Sequence, residues 1–308
     1  MIDPLIQTSI YVSLITIFAS MGLTLTYLTT KVPNFSQGSF LTLGAYVGVY
    51  AQEVLDKSPL YFLPISFLLV GLYSFGFYKL VIKPLLKRGA NIVLLMIATL
   101  TLNIFSFSFI NIMASYLSQK FKISVTYVTF KKTDFLLLGF PFSFLAILLT
   151  TITFIVVLYF MLTKTKFGIA MRAAIENASL ASVVGINIDR VYSFAWFLSG
   201  ALSGIAGIFY GYYQSIDTAA GDKFLPIIFA TTILGGVNSL FGTIPAGLII
   251  GFSMIWLTYS LARYVSLIFL PLQFIIPLII MSIVLIVFPN GLGGISQLIR
   301  TNLFKKQW

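Results

Sequence analysis

The chain has 308 residues, 59% of them hydrophobic and only 9% charged, and its mean hydropathy is +1.02. Soluble domains carry roughly 25% charged residues, so there is too little charge here to cover a water-facing surface. The net charge of +11 therefore points to Lys and Arg retained on the cytoplasmic side of a membrane rather than to nucleic acid, and the absence of Cys and His removes disulfides, the usual zinc sites and a histidine base.

No cofactor and no metal is expected. A spanning helix needs about 20 mostly apolar residues, which leaves room for roughly eight to ten spans in one domain. The first apolar run covers residues 5–28 and stops at Lys31, Val32, Pro33 and Asn34. A weaker segment rich in Gly, Ser and Thr follows at 35–51 and ends in an acidic turn with Glu53 and Asp56. The third run, 60–80, leads into a basic turn holding Lys79, Lys83, Lys87 and Arg88. The fourth, 91–116, carries a polar stripe, in which Thr99, Asn103 and Ser106 share a face; it either bonds a neighbouring helix or lines a pore. A polar connection, 117–139, separates it from the fifth run at 141–162.

Residues 164–190 are polar and helix-forming, and the sixth run is 191–213. A short apolar stretch, 224–234, precedes Gly235, Gly236, Val237 and Asn238; runs at 243–261 and 264–288 complete the series. The expected architecture is all-α: one polytopic transmembrane bundle over 1–308 with eight or nine spans, two interrupted segments and a weak internal repeat.

Orientation follows from the basic residues. The turn at 79–88, the segment at 164–172 and the tail with Arg300, Lys305 and Lys306 are expected in the cytoplasm, and Lys31 on the same side. Glu53, Asp56, Asp217 and Asp222 then fall outside, and the N-terminus outside as well. The connection at 117–139 conflicts in part, because it is placed outside yet holds Lys120, Lys122, Lys131 and Lys132. No removable signal peptide is expected, since the first residues lack a charged n-region and a small-residue cleavage site.

Four features bear on chemistry. Each acidic residue (Asp3, Glu53, Asp56, Asp134, Glu176, Asp189, Asp217, Asp222) is read as lying in or beside a connection, so no intramembrane relay for protons is expected. Sodium coupling through backbone carbonyls stays open. No phosphate-cradling G-x-x-x-x-G-K-[ST] loop is present, so uphill transport would draw its energy from another chain. The segment 164–190 is either a solvated connection or a docking helix for a cytoplasmic partner. Ala173 favours helix, Arg172 and Glu176 sit one turn apart, Gly185 can end the helix and Asp189 can cap the next span. Gly200, Gly204, Gly207 and Gly211 form one face suited to close helix packing. Finally, two interruptions, Pro33 to Ser39 and Gly235 to Gly242, each join an amide side chain, a glycine and a small-residue helix. They are ordinary turns or parts of a substrate path. Asn34, Ser36, Gln37, Gly38, Asn103 and Asn238 are the candidate lining of that path.

Three blocks resemble the permease subunits of branched-chain amino-acid ABC transporters. They are GLTLTYLTTKVPNFSQGSFLTLGAY at 22–46, GIAMRAAIENASLASVVGINIDRVYSFAWFLSGALSGIAG at 168–207 and LGGVNSLFGTIPAGLIIG at 234–251. The resemblance implies a permease, not an enzyme, embedded in the lipid bilayer of the cell membrane. It implies a second homologous permease subunit, two cytoplasmic ATP-binding subunits and an external solute-binding protein. The ATPases would dock on a coupling segment containing Arg172, Ala173, Glu176, Asn177, Gly185 and Asn187, and the solute would be a branched-chain or related amino acid. The chain departs from the family in Gln37, where many relatives have His, and in its Lys-rich external connection. A sodium-coupled or facilitative carrier for a small polar solute is the alternative.

Overall fold

A computed structural model describes residues 3–123, 125, 127–287 and 291–293. The basic tail with Arg300, Lys305 and Lys306, and the last residue of the run 264–288, lie outside the described residues. Helix α1 (Pro4–Thr30) starts where the Asp3 carboxylate accepts the Leu5 N–H at 2.9 Å and Pro4 takes the first helical position. It ends at Lys31 in the left-handed conformation. After α2 (Gln37–Glu53), α3 (Pro59–Lys87) runs through a π turn at Tyr78–Ile82. Helix α4 (Ile92–Phe121) is capped by Asn91, whose side chain accepts the Leu94 N–H at 2.8 Å.

A short hairpin, β1 (Leu136–Leu137) and β2 (Phe140–Pro141), precedes α5 (Phe142–Lys164). Two short helices follow, α6 (Lys166–Glu176) and α7 (Ala178–Val183). Then come α8 (Ile188–Tyr213), α9 (Ala220–Gly235) and α10 (Thr243–Tyr264). A 3-10 segment (Leu267–Phe274) joins α11 (Ile276–Val287) across a 67° bend.

The all-α, multi-span expectation holds, but the eight or nine spans are not reached. Among the described residues, six helices are long and apolar enough to cross a membrane, or seven if the bent pair is one span. Helices α2 and α9 have only 17 and 16 residues, about 25 Å at 1.5 Å per residue. A hydrocarbon core is about 30 Å thick.

Helix α8 forms the axis, with α1, α2 and α3 packed around it, and α10 covers the far side of α1. Of the apolar stretches of α1 and α8, 89% and 83% are buried, against 22% for α4 and α5. The glycine face of α8 makes this axis possible. A Cβ at Gly207 would meet the Leu41 carbonyl and the Ala45 nitrogen of α2, so the two backbones touch. Without water to drive burial between helices, such van der Waals contact and interhelical hydrogen bonds hold the bundle. The bonds are supplied by hydroxyls: Ser66 Oγ donates to the Gly204 carbonyl at 2.8 Å, and Ser74 Oγ to the Trp196 carbonyl at 2.7 Å.

Candidate functional site

The first interruption folds back into the bundle. Pro33 cannot continue α1, and the chain turns inward through Val32 and Asn34, both fully buried. The Asn34 side-chain Oδ1 accepts the Ser36 backbone N–H at 3.1 Å and the Ser36 hydroxyl at 2.6 Å, a local turn that launches α2. Thr99 on α4 braces the same loop, accepting the Phe35 N–H at 3.4 Å and donating to the Pro33 carbonyl at 3.3 Å.

Gln37, fully buried, ties three helices together. Its Nε2 donates to Ser203 Oγ at 2.5 Å, the Ala19 carbonyl at 3.2 Å and the Ser199 carbonyl at 3.4 Å. Its Oε1 accepts from Ser199 Oγ at 3.0 Å and Asn34 Nδ2 at 3.2 Å. The amide's donors and acceptor are thus spent on α1, α8 and the turn, leaving no capacity for a solute in this conformation.

The start of α9, not the second interruption, meets the first interruption at Gly38. A Cβ there would lie 2.6 Å from the Gly221 carbonyl, and Gly221 N–H donates to Thr42 Oγ1 at 2.9 Å. The first turn of α9 is therefore held against the first turns of α2. Ser39 Oγ donates to Asn103 Oδ1, and Asn103 Nδ2 donates to Asp222 Oδ1 at 3.1 Å. Asn103 is the twelfth residue of the 30-residue α4, about 16 Å from its start. This corrects the placement of Asp222 in an external connection: the fold brings its carboxylate beside the middle of a spanning helix. Ser106, from the same stripe, meets the Tyr73 hydroxyl of the neighbouring α3 at 3.0 Å. Asn238 stands apart, exposed beside the end of α1, where Lys31 Nζ reaches its Oδ1 at 3.5 Å.

The segment 164–190 forms two helices rather than one, broken at Asn177, whose side chain caps α7 by accepting the Leu180 N–H at 2.9 Å. Ala173 is half-buried and its carbonyl accepts the Asn177 N–H at 3.0 Å. Arg172 donates to the Leu162 carbonyl at the end of α5, and Glu176 is exposed with no ion pair among the described residues. Gly185 adopts φ 86°, which lets the chain turn after α7. Asn187, not Asp189, caps α8, accepting the Arg190 N–H at 3.1 Å. Asp189 instead joins Lys79 Nζ at 2.6 Å and Lys83 Nζ at 2.8 Å, locking the end of α3 to the start of α8. Leu180 and Val183 stand 63% and 82% exposed on α7.

Sequence reasoning missed Ser39, Ser199, Ser203 and Asp222. For Asp222 a signal existed: the apolar stretch after it, 224–234, is too short to cross a bilayer, so its start had to lie inside.

A bundle of apolar helices with two short helices meeting inside it, at Gly38 and Gly221, and a pair of short helices at one end fits a multi-span membrane protein. The chain belongs to the family described as the branched-chain amino acid transport system permease component, which matches residues 5–287. It is 38% identical over 295 residues to the probable branched-chain amino acid transport permease protein LivH of Methanocaldococcus jannaschii, covering 95% of this chain and 92% of that one. It is 26% identical to the high-affinity branched-chain amino acid transport system permease protein BraD of Pseudomonas aeruginosa, over 75% of this chain and 78% of that one. The LivH permease of Escherichia coli is 29% identical over 49% of this chain and 45% of its own length. No solved structure matches the chain.

Proposed function

We propose that this chain is one permease subunit of an ATP-driven importer for branched-chain or related amino acids. The observation that carries this reading is the pair α6 and α7. It presents Leu180, Val183 and Val184 as exposed apolar side chains on the segment that leads to Asp189, which Lys79 and Lys83 hold. Such a surface suits a cytoplasmic ATPase, with Arg172, Ala173 and Glu176 on α6, Asn177 and Gly185 flanking α7 and Asn187 closing the segment. In this reading a second homologous permease faces the first, two ATP-binding subunits dock below, and an external binding protein delivers the solute. Nine segments cross or enter the bilayer, α2 and α9 being partial, with the C-terminus in the cytoplasm. Asn34, Ser36, Gln37 and Gly38 hold the first interruption in place beside the path, Asn103 lies on it and Asn238 sits at its cytoplasmic end.

A carrier working alone is not favoured by the family to which the chain belongs. The test is uptake of labelled leucine, isoleucine and valine into proteoliposomes holding the chain with its partners. Uptake is expected only with internal or external ATP at the ATPase face; uptake by the chain alone on a sodium gradient would sink the importer reading. Leu180→Asp combined with Val183→Asp is expected to abolish ATPase co-purification while leaving membrane insertion intact.

A further inference from the structure

Asp222 is a carboxylate held beside the middle of α4, with no ion partner among the described residues. Its Oδ1 accepts from Asn103, while its Oδ2 has no hydrogen-bond partner among the described residues and is not sealed off. The adjacent Lys223 turns away and pairs with Asp217. A charge held at this depth is costly, and where the fold keeps one it faces a bundle interior or a water-filled path. Ser39 fixes Asn103, and Asn103 fixes the carboxylate, so the orientation of the group is set by two neighbouring helices.

Polar groups on α4 and aromatic rings on α9 lie along the two helices that hold this group. Toward the C-terminal end of α4 from Asn103, residues Asn111, Ser115 and Ser118 recur on one face, and Lys122 follows at the helix end. With Thr218 they line a polar groove of about 620 Å³. Beyond Asp222, two turns along α9, the ring of Phe229 meets that of Phe35 at 5.2 Å. Asn103 thus shares α4 with the residues of the polar groove, and Asp222 shares α9 with one ring of the aromatic pair.

We propose that Asp222, oriented by Asn103, is the solute-recognition residue of the path, taking the ammonium group of a zwitterionic amino acid whose apolar side chain points toward the Phe35 and Phe229 rings. The inference rests on the reading of the chain as an amino-acid permease. It explains why a carboxylate is tolerated at this depth: the passing ammonium replaces water as its partner. The groove along α4 supplies hydroxyl and amide groups for a hydrated zwitterion on its way in.

The test uses the assembled complex of this chain with its second permease, ATPases and binding protein, in proteoliposomes with labelled leucine. D222N keeps an oxygen acceptor for Asn103 but loses the charge. It is expected to lower leucine import about tenfold or more, with assembly and leucine-independent ATP hydrolysis unchanged. D222E is expected to recover a substantial part of the import. Import by D222N within about twofold of wild type overturns the proposal. So does failure of both variants to assemble, because the carboxylate would then be a structural group. A wild-type complex that hydrolyses ATP yet imports no leucine, isoleucine or valine overturns the amino-acid reading itself, and the proposal falls with it.

Discussion

Helices α1 and α8 at the centre differ from α4 and α5 at the periphery in the opposite sense to a soluble protein. The central pair has mean hydropathies of 1.6 and 1.4, the peripheral pair 2.1 and 2.6, yet it is the central pair that is buried. The reason is the solvent. Lipid tails are as apolar as Leu, so burying Leu brings no transfer gain, whereas a Ser, Thr or Gly gains contact and hydrogen bonds only against another helix. Helix α1 carries Ser9, Ser13, Thr16, Ser20, Thr24 and Thr26 fully buried, while α5 turns Leu149, Ile152 and Val157 outward.

The contrast can be broken at defined positions. The largest effect is expected at the centre: Gly207→Leu drives a side chain into the α2 backbone and should cost about 3 kcal/mol or more, seen as loss of monodisperse protein in detergent. Nearly as large is a charge on the lipid face, where Ile152→Lys at the middle of α5 should cost about 2.5–3.5 kcal/mol of insertion free energy, read by glycosylation-mapping of the span. Gln37→Ala leaves Ser199, Ser203 and Asn34 short of partners. A loss of about 1–3 kcal/mol is expected in a steric-trapping measurement of unfolding, and no change would show that water or local rearrangement replaces the amide. Ser66→Ala removes one bond between α3 and α8 and should cost only about 0.6 kcal/mol. The smallest effect belongs to Ile152→Ala, within about 0.5 kcal/mol of wild type in the same assay, because the side chain exchanges protein-free lipid contact for the same. If Ile152→Ala were to destabilise as much as Gln37→Ala, α5 would be packing against something other than lipid, and the contrast would fail there.

Much of this was legible in order and composition. The glycine spacing on α8, the breaks at Pro33 and at Gly235 and Gly236, and the helical character of 164–190 all follow from local chemistry, since proline, glycine and amide side chains act within a turn or two of themselves. Depth was not legible. Asp222 looks external when the chain is read as a string of full crossings, and α2 and α9 look like weak spans rather than short helices meeting at Gly38 and Gly221. Nor does the sequence reveal that Asp189 is taken by Lys79 and Lys83, leaving Asn187 to cap α8, because those lysines are more than 100 residues away, with separations of 110 and 106.

By itself, then, the sequence determined that this protein lives in a bilayer, that its helices carry their small and hydroxylated residues in stripes, and that two of its segments are interrupted. Composition decides these because the solvent acts on each residue separately. Only the tertiary structure decided which stripe meets which, that Gln37 is a brace rather than a free ligand, and that Asp222 meets Asn103 near the middle of α4. Those outcomes depend on groups brought within contact across about two hundred residues, as where the Tyr11 hydroxyl donates to the Phe209 carbonyl, 198 positions apart, and no local pattern records which distant helix a short one will meet.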